Sequence, residues 1–353
     1  MSKAEVVAVI LLVGVTMYAV FGGADFGAGL WSLLAGGGDR GRRPRELIDW
    51  AIGPVWEANH VWLIFVLVML WTGFSSAFEA LFSTLFIPLS LAALGIVFRG
   101  AGFAFHHSAR RAGGRAVAAT VFGLASVLTP FFLGTVVGAI AGGRVPVGNA
   151  TGDAVTSWLN PLSLLIGALF VATGAYLAAV FLVSDARRAG APDLERYFST
   201  RAFVAAVVTG ALALAGLVGL HRDARYIFDG LTGDGLPLVI LSLLCGIGVL
   251  VLLRLGARRE ARPLAVGAVA AVIWGWGVAQ WPYLLPENLT VDDAAAPSAT
   301  LTGLLVVFGV AVFVVLPAIG LLFTLVQRNL VEETLRPTPR GEWRGGGAAD
   351  THR

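Results

Sequence analysis

EVVAVILLVGVTMYAVFGGADFGAGLWSLLAGGGDRGRRPRELIDW, residues 5–50, decides the fold class. Residues 5–34 carry only two charges, Glu5 at the start and Asp25 deep inside an apolar run. A bilayer-crossing helix needs ~20 mostly apolar residues, so this run is long enough to span. Arg40, Arg42, Arg43 and Arg45 follow directly. A cleaved secretory signal carries its positive charge before the apolar run and a small-residue cleavage site after it. Here Lys3 is offset by Glu5, no such cleavage site stands out, and the arginines come afterwards. The segment therefore reads as a retained first span whose far end is cytoplasmic.

The same pattern repeats along the chain. Of 353 residues, 57% are hydrophobic and 13% charged, with a mean hydropathy of +0.81. Soluble domains carry roughly 25% charged residues, so most of this chain's surface is expected to face lipid. Eight further apolar stretches qualify as spans: roughly 51–73, 78–105, 116–141, 157–183, 201–220, 236–255, 263–284 and 300–326. Cations test the count, because cytoplasmic loops are enriched in Arg and Lys. Twenty fall in the tail and in loops 35–50, 106–115, 184–201 and 254–262, and four (Lys3, Arg144, Arg222, Arg225) on the opposite side. The expected architecture is all-α, with nine transmembrane helices arranged as two four-helix bundles plus one peripheral helix. The N-terminus is outside and the C-terminus cytoplasmic. Residues 1–330 form the polytopic domain, and 331–353 a charged, Gly-rich cytoplasmic tail, partly disordered.

Other classes fall away on composition. The single Cys245 cannot form an internal disulfide and reads as a small hydrophobe. No CxxC or CxxCH occurs, which argues against zinc, iron–sulfur and c-type haem sites. The formal charge of +3 sits in short loops and does not suggest nucleic acid.

Ionisable groups inside a span are costly, and each is a functional candidate. They are Asp25, Glu57, His60, Glu79 and Arg99, with Asn59 as an uncharged neighbour. At 1.5 Å per residue, Asp25 lies roughly 14 Å from the inner end of its span, Glu57 and His60 ~10–15 Å deep, and Arg99 ~9 Å. These four share the cytoplasmic third of the membrane, while Glu79 is near the outer end of its span. Glu57 and His60 are three apart and share a helix face, as do Trp56 and His60, four apart. A carboxylate and an imidazole at one depth can pass a proton. They can equally form an ion-pair cluster that glues three helices together. Arg99, close to the interface, reads first as a structural residue able to snorkel to water. His60 as a haem ligand is the weaker reading, because no second axial ligand is evident. Gly23 and Gly27 form a GxxxG that would bring another backbone close to Asp25. Asn160-Pro161 reads as a helix start, and Trp71, Trp158 and Trp281 as interfacial residues.

These residues resemble a known family. Gly53-Pro54-Val55-Trp56-Glu57-Ala58-Asn59-His60-Val61-Trp62-Leu63-Ile64 resembles the PxWxxNxxWL stretch of cytochrome bd-type quinol oxidase subunit II. The run containing Asp25-Phe26-Gly27 resembles that family's DGFDxG segment. Phe98-Arg99-Gly100-Ala101-Gly102-Phe103 is similar to its FRxxGF segment. Leu159-Asn160-Pro161 is similar to its LNP, and Trp281-Pro282-Tyr283-Leu284-Leu285-Pro286 to its late aromatic-Pro segment. The matches run in order over residues 20–290.

The resemblance implies a haem-free subunit with no catalytic residue and no metal of its own. Its partner would be a first subunit carrying b-type and d-type haems and the quinol site, with small accessory subunits and a structural quinone left open. The complex, in the bacterial cytoplasmic membrane, would oxidise quinol and reduce oxygen to water, with protons drawn from the cytoplasm. Glu57 would lie on that route with Asp25 and His60, supported by Arg99, Trp56, Asn59 and Trp62. Two positions depart from the pattern: the first Asp of DGFDxG is Gly22 here, and an acid that follows FRxxGF in some members is Ala104. His106 and His107 are the candidates to replace the latter. The competing reading is a proton-coupled transporter built on Asp25 and Glu57.

Overall fold

The computed structural model describes residues 1–36, 38–52, 56–108, 112–256 and 261–327. Nearly every described element is helical. The first span starts with α1 (Lys3–Met17), passes through a single π-helical turn (Tyr18–Gly22) and continues as α2 (Gly23–Leu34). Ser2 caps α1 and exchanges bonds with Glu5, satisfying two backbone donors that a helix start leaves orphaned. Next come α3 (Gly38–Ile52), α4 (Trp56–Gly73), α5 (Ser75–Thr84), α6 (Phe86–Ser108) and α7 (Ala112–Ala141). After a long loop follow α8 (Pro161–Arg188), α9 (Pro192–Asp223), α10 (Arg225–Thr232), α11 (Leu236–Leu255) and α12 (Ala261–Gln280). A two-stranded hairpin, β1 (Tyr283–Leu285) and β2 (Leu289–Thr290), leads to α13 (Val291–Ala294) and α14 (Ser298–Gln327).

Among the described residues, seven helices are long and apolar enough to cross a membrane, or eight if the bent pair α4–α5 is one span. The chain divides into two units, Met1–Leu301 and Thr302–Arg353. Within the second, the described part continues α14, with Val306, Val307, Val310 and Phe313 exposed.

In the first unit α8 is the central helix. Two thirds of its apolar window (67%) is buried inside the protein, against 11% for α11. Its core residues Leu177, Val180 and Leu182 pack with Ala24 and Ala28 of α2, Phe198 of α9, and Val249 and Ala265 of α11 and α12. A second cluster joins Leu162 and Ile166 of α8 to Leu220, Ile227 and Ala279. Asn160 caps α8: its side chain accepts from the Ser163 N–H, with Pro161 in the first turn, as the Asn-Pro pair predicted.

Three sequence boundaries are corrected. The Arg-rich segment expected as loop 35–50 is mostly helix α3, because Leu47 and Ile48 are buried on one face and anchor it. Loop 184–201 shrinks to a few residues around Gly190. Pro192, Asp193 and Glu195 favour an early start of α9, and Gly190 takes a left-handed φ of +65°. The expected span 78–105 begins only at Phe86. Residues 75–84 form α5, which turns 117° away from the helix before it, and Glu79 on α5 is exposed.

Segments assigned to one side by charge meet in space. At one end, Ser2 Oγ donates to Asp292 Oδ1 (3.1 Å), Lys3 Nζ to Ser298 Oγ (3.0 Å), and the Ala296 N–H to the Gly73 carbonyl (2.8 Å). Elsewhere Arg43 of α3 pairs with Asp193 of α9, joining two segments that the sequence places together on the opposite side.

Candidate functional site

The polar residues of the first and third spans converge where α2, α6 and α7 meet. Arg99 on α6 is wholly buried, and Asp25 on α2 is 5% exposed. Arg99 Nη2 donates to Asp25 Oδ1 at 2.6 Å and to the Asp25 carbonyl at 3.3 Å. Arg99 Nε donates to Ser126 Oγ of α7 at 3.0 Å, and that hydroxyl donates to the Phe122 carbonyl at 2.7 Å. The guanidinium also lies between two rings, 5.0 Å from the Phe26 centroid and 4.9 Å from that of Phe122. A buried guanidinium carries a desolvation cost of several kcal/mol. A charge-assisted pair, a hydroxyl and two aromatic faces offset it. The expectation that Arg99 snorkels to water is therefore corrected: its side chain turns inward to a partner three helices share.

Glycines permit this convergence. A Cβ at Gly27 would overlap the Gly174 carbonyl of α8, so α2 and α8 touch through their backbones beside Asp25. The GxxxG prediction holds. Gly29 faces the Ser126 side chain in the same way, leaving Ser126 room to reach Arg99.

His60 on α4 is half-buried and joins the cluster through aromatic contacts. Its ring centroid lies 6.1 Å from Phe26 and 6.5 Å from Tyr18. Tyr18 and Phe26 meet edge-on at 6.4 Å. Of the expected route, then, Asp25, His60 and Arg99 are brought together. The side chains of Glu57 and Trp56 lie outside the described residues, as do those of His106 and His107. Asn59 is half-buried on α4, and Trp62 packs edge-on with Phe65 at 6.2 Å.

Tyr18, Ser126 and Phe122 were not singled out by sequence, and Phe26 entered only as part of the Asp25-Phe26-Gly27 segment. Tyr18 lies seven residues before Asp25, about two helical turns, and that spacing is the one signal that could have found it. The π-helical turn then sets its ring above Gly22, the position where the similar family segment carries Asp. Ser126 is one hydroxyl among several in an apolar span and had no distinguishing mark.

Among the described residues, no group of three or more His, Cys, Asp or Glu side chains could hold a metal ion. Among the described contacts, His60 meets the rings of Tyr18 and Phe26.

Comparison with known proteins agrees with the motifs. The family model for cytochrome bd terminal oxidase subunit II matches residues 3–326. A Bacillus subtilis (strain 168) relative is 22% identical over 327 residues, covering 89% of this chain and 93% of that protein. Cytochrome bd-I ubiquinol oxidase subunit 2 of Escherichia coli (strain K12) is 26% identical over 336 residues, covering 82% and 86%. A chain in the structure of bd oxidase from Geobacillus thermodenitrificans superposes with a TM-score of 0.73 at 25% identity, over 93% of this chain and 100% of that one. The chain belongs to the cytochrome bd terminal oxidase subunit II family and is a multi-pass protein of the bacterial cytoplasmic membrane.

Proposed function

We propose that this chain is the haem-free second subunit of a quinol:oxygen oxidoreductase and that it lines part of the proton route from the cytoplasm. It pairs with a haem-bearing first subunit, where b-type and d-type haems carry electrons from quinol to oxygen. It has no catalytic residue of its own. Reducing one oxygen molecule to two waters consumes four protons, so a path for protons through the low-dielectric interior is needed. The observation that carries the reading is the buried Asp25–Arg99 pair beside His60. Ionisable residues buried inside a membrane domain commonly mark proton relays, which is what supports the reading. Glu57 is one turn before His60 on α4 and is assigned the proton-accepting carboxylate at the inner end of the route.

Nine spans, an external N-terminus and a cytoplasmic tail after residue 330 complete the arrangement. The twenty-to-four division of cations supports it. So do the ties that gather residues 2, 73 and 292–298 at one end. A transporter based on Asp25 and Glu57 draws no support from the site, since Asp25 is engaged by Arg99 and not offered to a cargo ion.

The test is Glu57→Gln in the purified two-subunit complex. Quinol-driven oxygen consumption should fall by about 10²-fold or more, the typical worth of a positioned proton-transfer group. The reduced-minus-oxidised haem spectrum should not change. Wild-type turnover and proton uptake would remove Glu57 from the route. Haem bands that stay with this chain when its partner is stripped away would overturn the haem-free assignment.

A further inference from the structure

The first span is not a continuous α-helix, and the break ends three residues before Asp25. Residues Tyr18–Gly22 form one π-helical turn, a feature often found at functional positions. The turn changes what sits above position 22. A Cβ built on Gly22 would stand 2.8 Å from Tyr18 Cε2 and 2.9 Å from Cδ2. The Tyr18 ring therefore fills the space that a side chain at 22 would need. It is held there by the edge of Phe26 at 6.4 Å and by the His60 ring at 6.5 Å.

This packing buries the Tyr18 hydroxyl without a hydrogen-bond partner. Two atoms of the neighbouring ion pair are in the same condition: Asp25 Oδ2 and Arg99 Nη1. An unpaired buried polar group costs roughly 1–3 kcal/mol, so three of them on one cluster call for a common partner. Their chemistry is complementary. Oδ2 only accepts, Nη1 only donates, and a phenol does both. A water molecule matches such a set, since buried waters typically make about three hydrogen bonds to otherwise unsatisfied groups. Phe26 ties the set together: Arg99, bonded to Asp25, lies over its ring, Tyr18 meets it edge-on, and His60 does so beside them.

We propose that the Tyr18 hydroxyl, Asp25 Oδ2 and Arg99 Nη1 bind an ordered water that joins the Asp25–Arg99 pair to the His60 side of the cluster, making Tyr18 a positioning residue of the proton route. The water accepts from Nη1, donates to Oδ2 and exchanges a hydrogen bond with the phenol. An incoming proton adds to the water oxygen, and one of the protons already there leaves toward the next acceptor. No covalent bond of the protein is made or broken. The proposal rests on the proton-uptake reading above and adds a residue and a ligand to it.

The test uses the intact oxidase complex with Tyr18→Phe, which removes one oxygen and keeps the ring. The haem spectrum should keep its wild-type form, and the thermal midpoint should stay within about 2 °C of wild type. Oxygen consumption should fall about tenfold, the worth of one buried hydrogen bond at the upper end of its range. The loss should deepen as pH rises and bulk protons become scarce. A wild-type rate with a wild-type pH profile overturns the proposal. Glu57→Gln measured in parallel separates the two failures: a slow Glu57→Gln beside a normal Tyr18→Phe overturns Tyr18 alone, whereas two normal variants overturn the route. An independent check needs no variant. A map of the wild-type complex that resolves ordered waters should place one within ~2.7–3.2 Å of at least two of the three atoms. A dry site in that map overturns the proposal.

Discussion

Replacing Arg99 with Leu strands the Asp25 carboxylate. The two side chains are 0% and 3% exposed and are bonded at 2.6 Å, so bulk water cannot take over the guanidinium's role. Removing one partner of a buried pair costs about 3–5 kcal/mol, because the surviving charge keeps its desolvation cost. With ~2.1 cal/mol/K of unfolding entropy per residue, a 353-residue chain converts that loss into a fall in thermal midpoint of roughly 4–7 °C. Asp25→Asn combined with Arg99→Leu removes both charges and should recover at least half of the shift, about 2 °C or more. The assay is the thermal midpoint of the purified oxidase complex, with wild type, both single variants and the double variant forming a cycle. Turnover is not needed, so the result is independent of any role in proton transfer. A double variant no more stable than Arg99→Leu would refute the claim that the pair is held by mutual charge compensation.

Two further substitutions probe the scaffold. Gly27→Ala should lower the yield and thermal midpoint of the complex by at least ~1–3 kcal/mol equivalent, since the new methyl overlaps the Gly174 backbone, which has no rotamer to yield. Gly23→Ala, whose Cβ would meet Leu177 Cδ1 at 3.8 Å, should be near neutral, and equal effects of the two would contradict the close-approach reading. Asn160→Ala should destabilise the start of α8 by about 1–2 kcal/mol, read as faster amide exchange at Ser163. Asn160→Asp, which keeps the accepting oxygen, should retain most of the protection.

The membrane-spanning class of the fold was legible in the sequence because hydropathy reports it directly. What hydropathy could not show was where a polar segment folds for local reasons. The arginines around position 42 outweigh Leu47 and Ile48 in any average, yet these two buried residues make α3 a helix. The break after Gly73 was legible, since one expected span ends there, but hydropathy gave no sign that residues 75–84 would form a separate helix turned 117° from α4. At the site, Asp25, His60 and Arg99 were found because charge in lipid is rare. Ser126 and Tyr18 escaped because a hydroxyl in a span is common and its role depends on which helices meet. The direction of Arg99 was misread for the same reason. Depth from the helix end places a guanidinium near water, and only the packing of Phe26, Phe122 and Ser126 around it turns it inward.

The Asp25–Arg99 bond also sets an order in time. The two residues are separated by 74 positions. At a synthesis rate of roughly 5–20 residues per second, the carboxyl exists for about 4–15 s before its guanidinium is made. Until α6 is made, the first helix carries its carboxyl without the partner it has in the folded protein. The tie between Ser2 and Asp292, 290 positions apart, closes roughly 15–60 s after the N-terminus appears. Assembly thus proceeds as a sequence of delayed handshakes. A chain stalled before residue 99 would carry an acid whose partner has not yet been made.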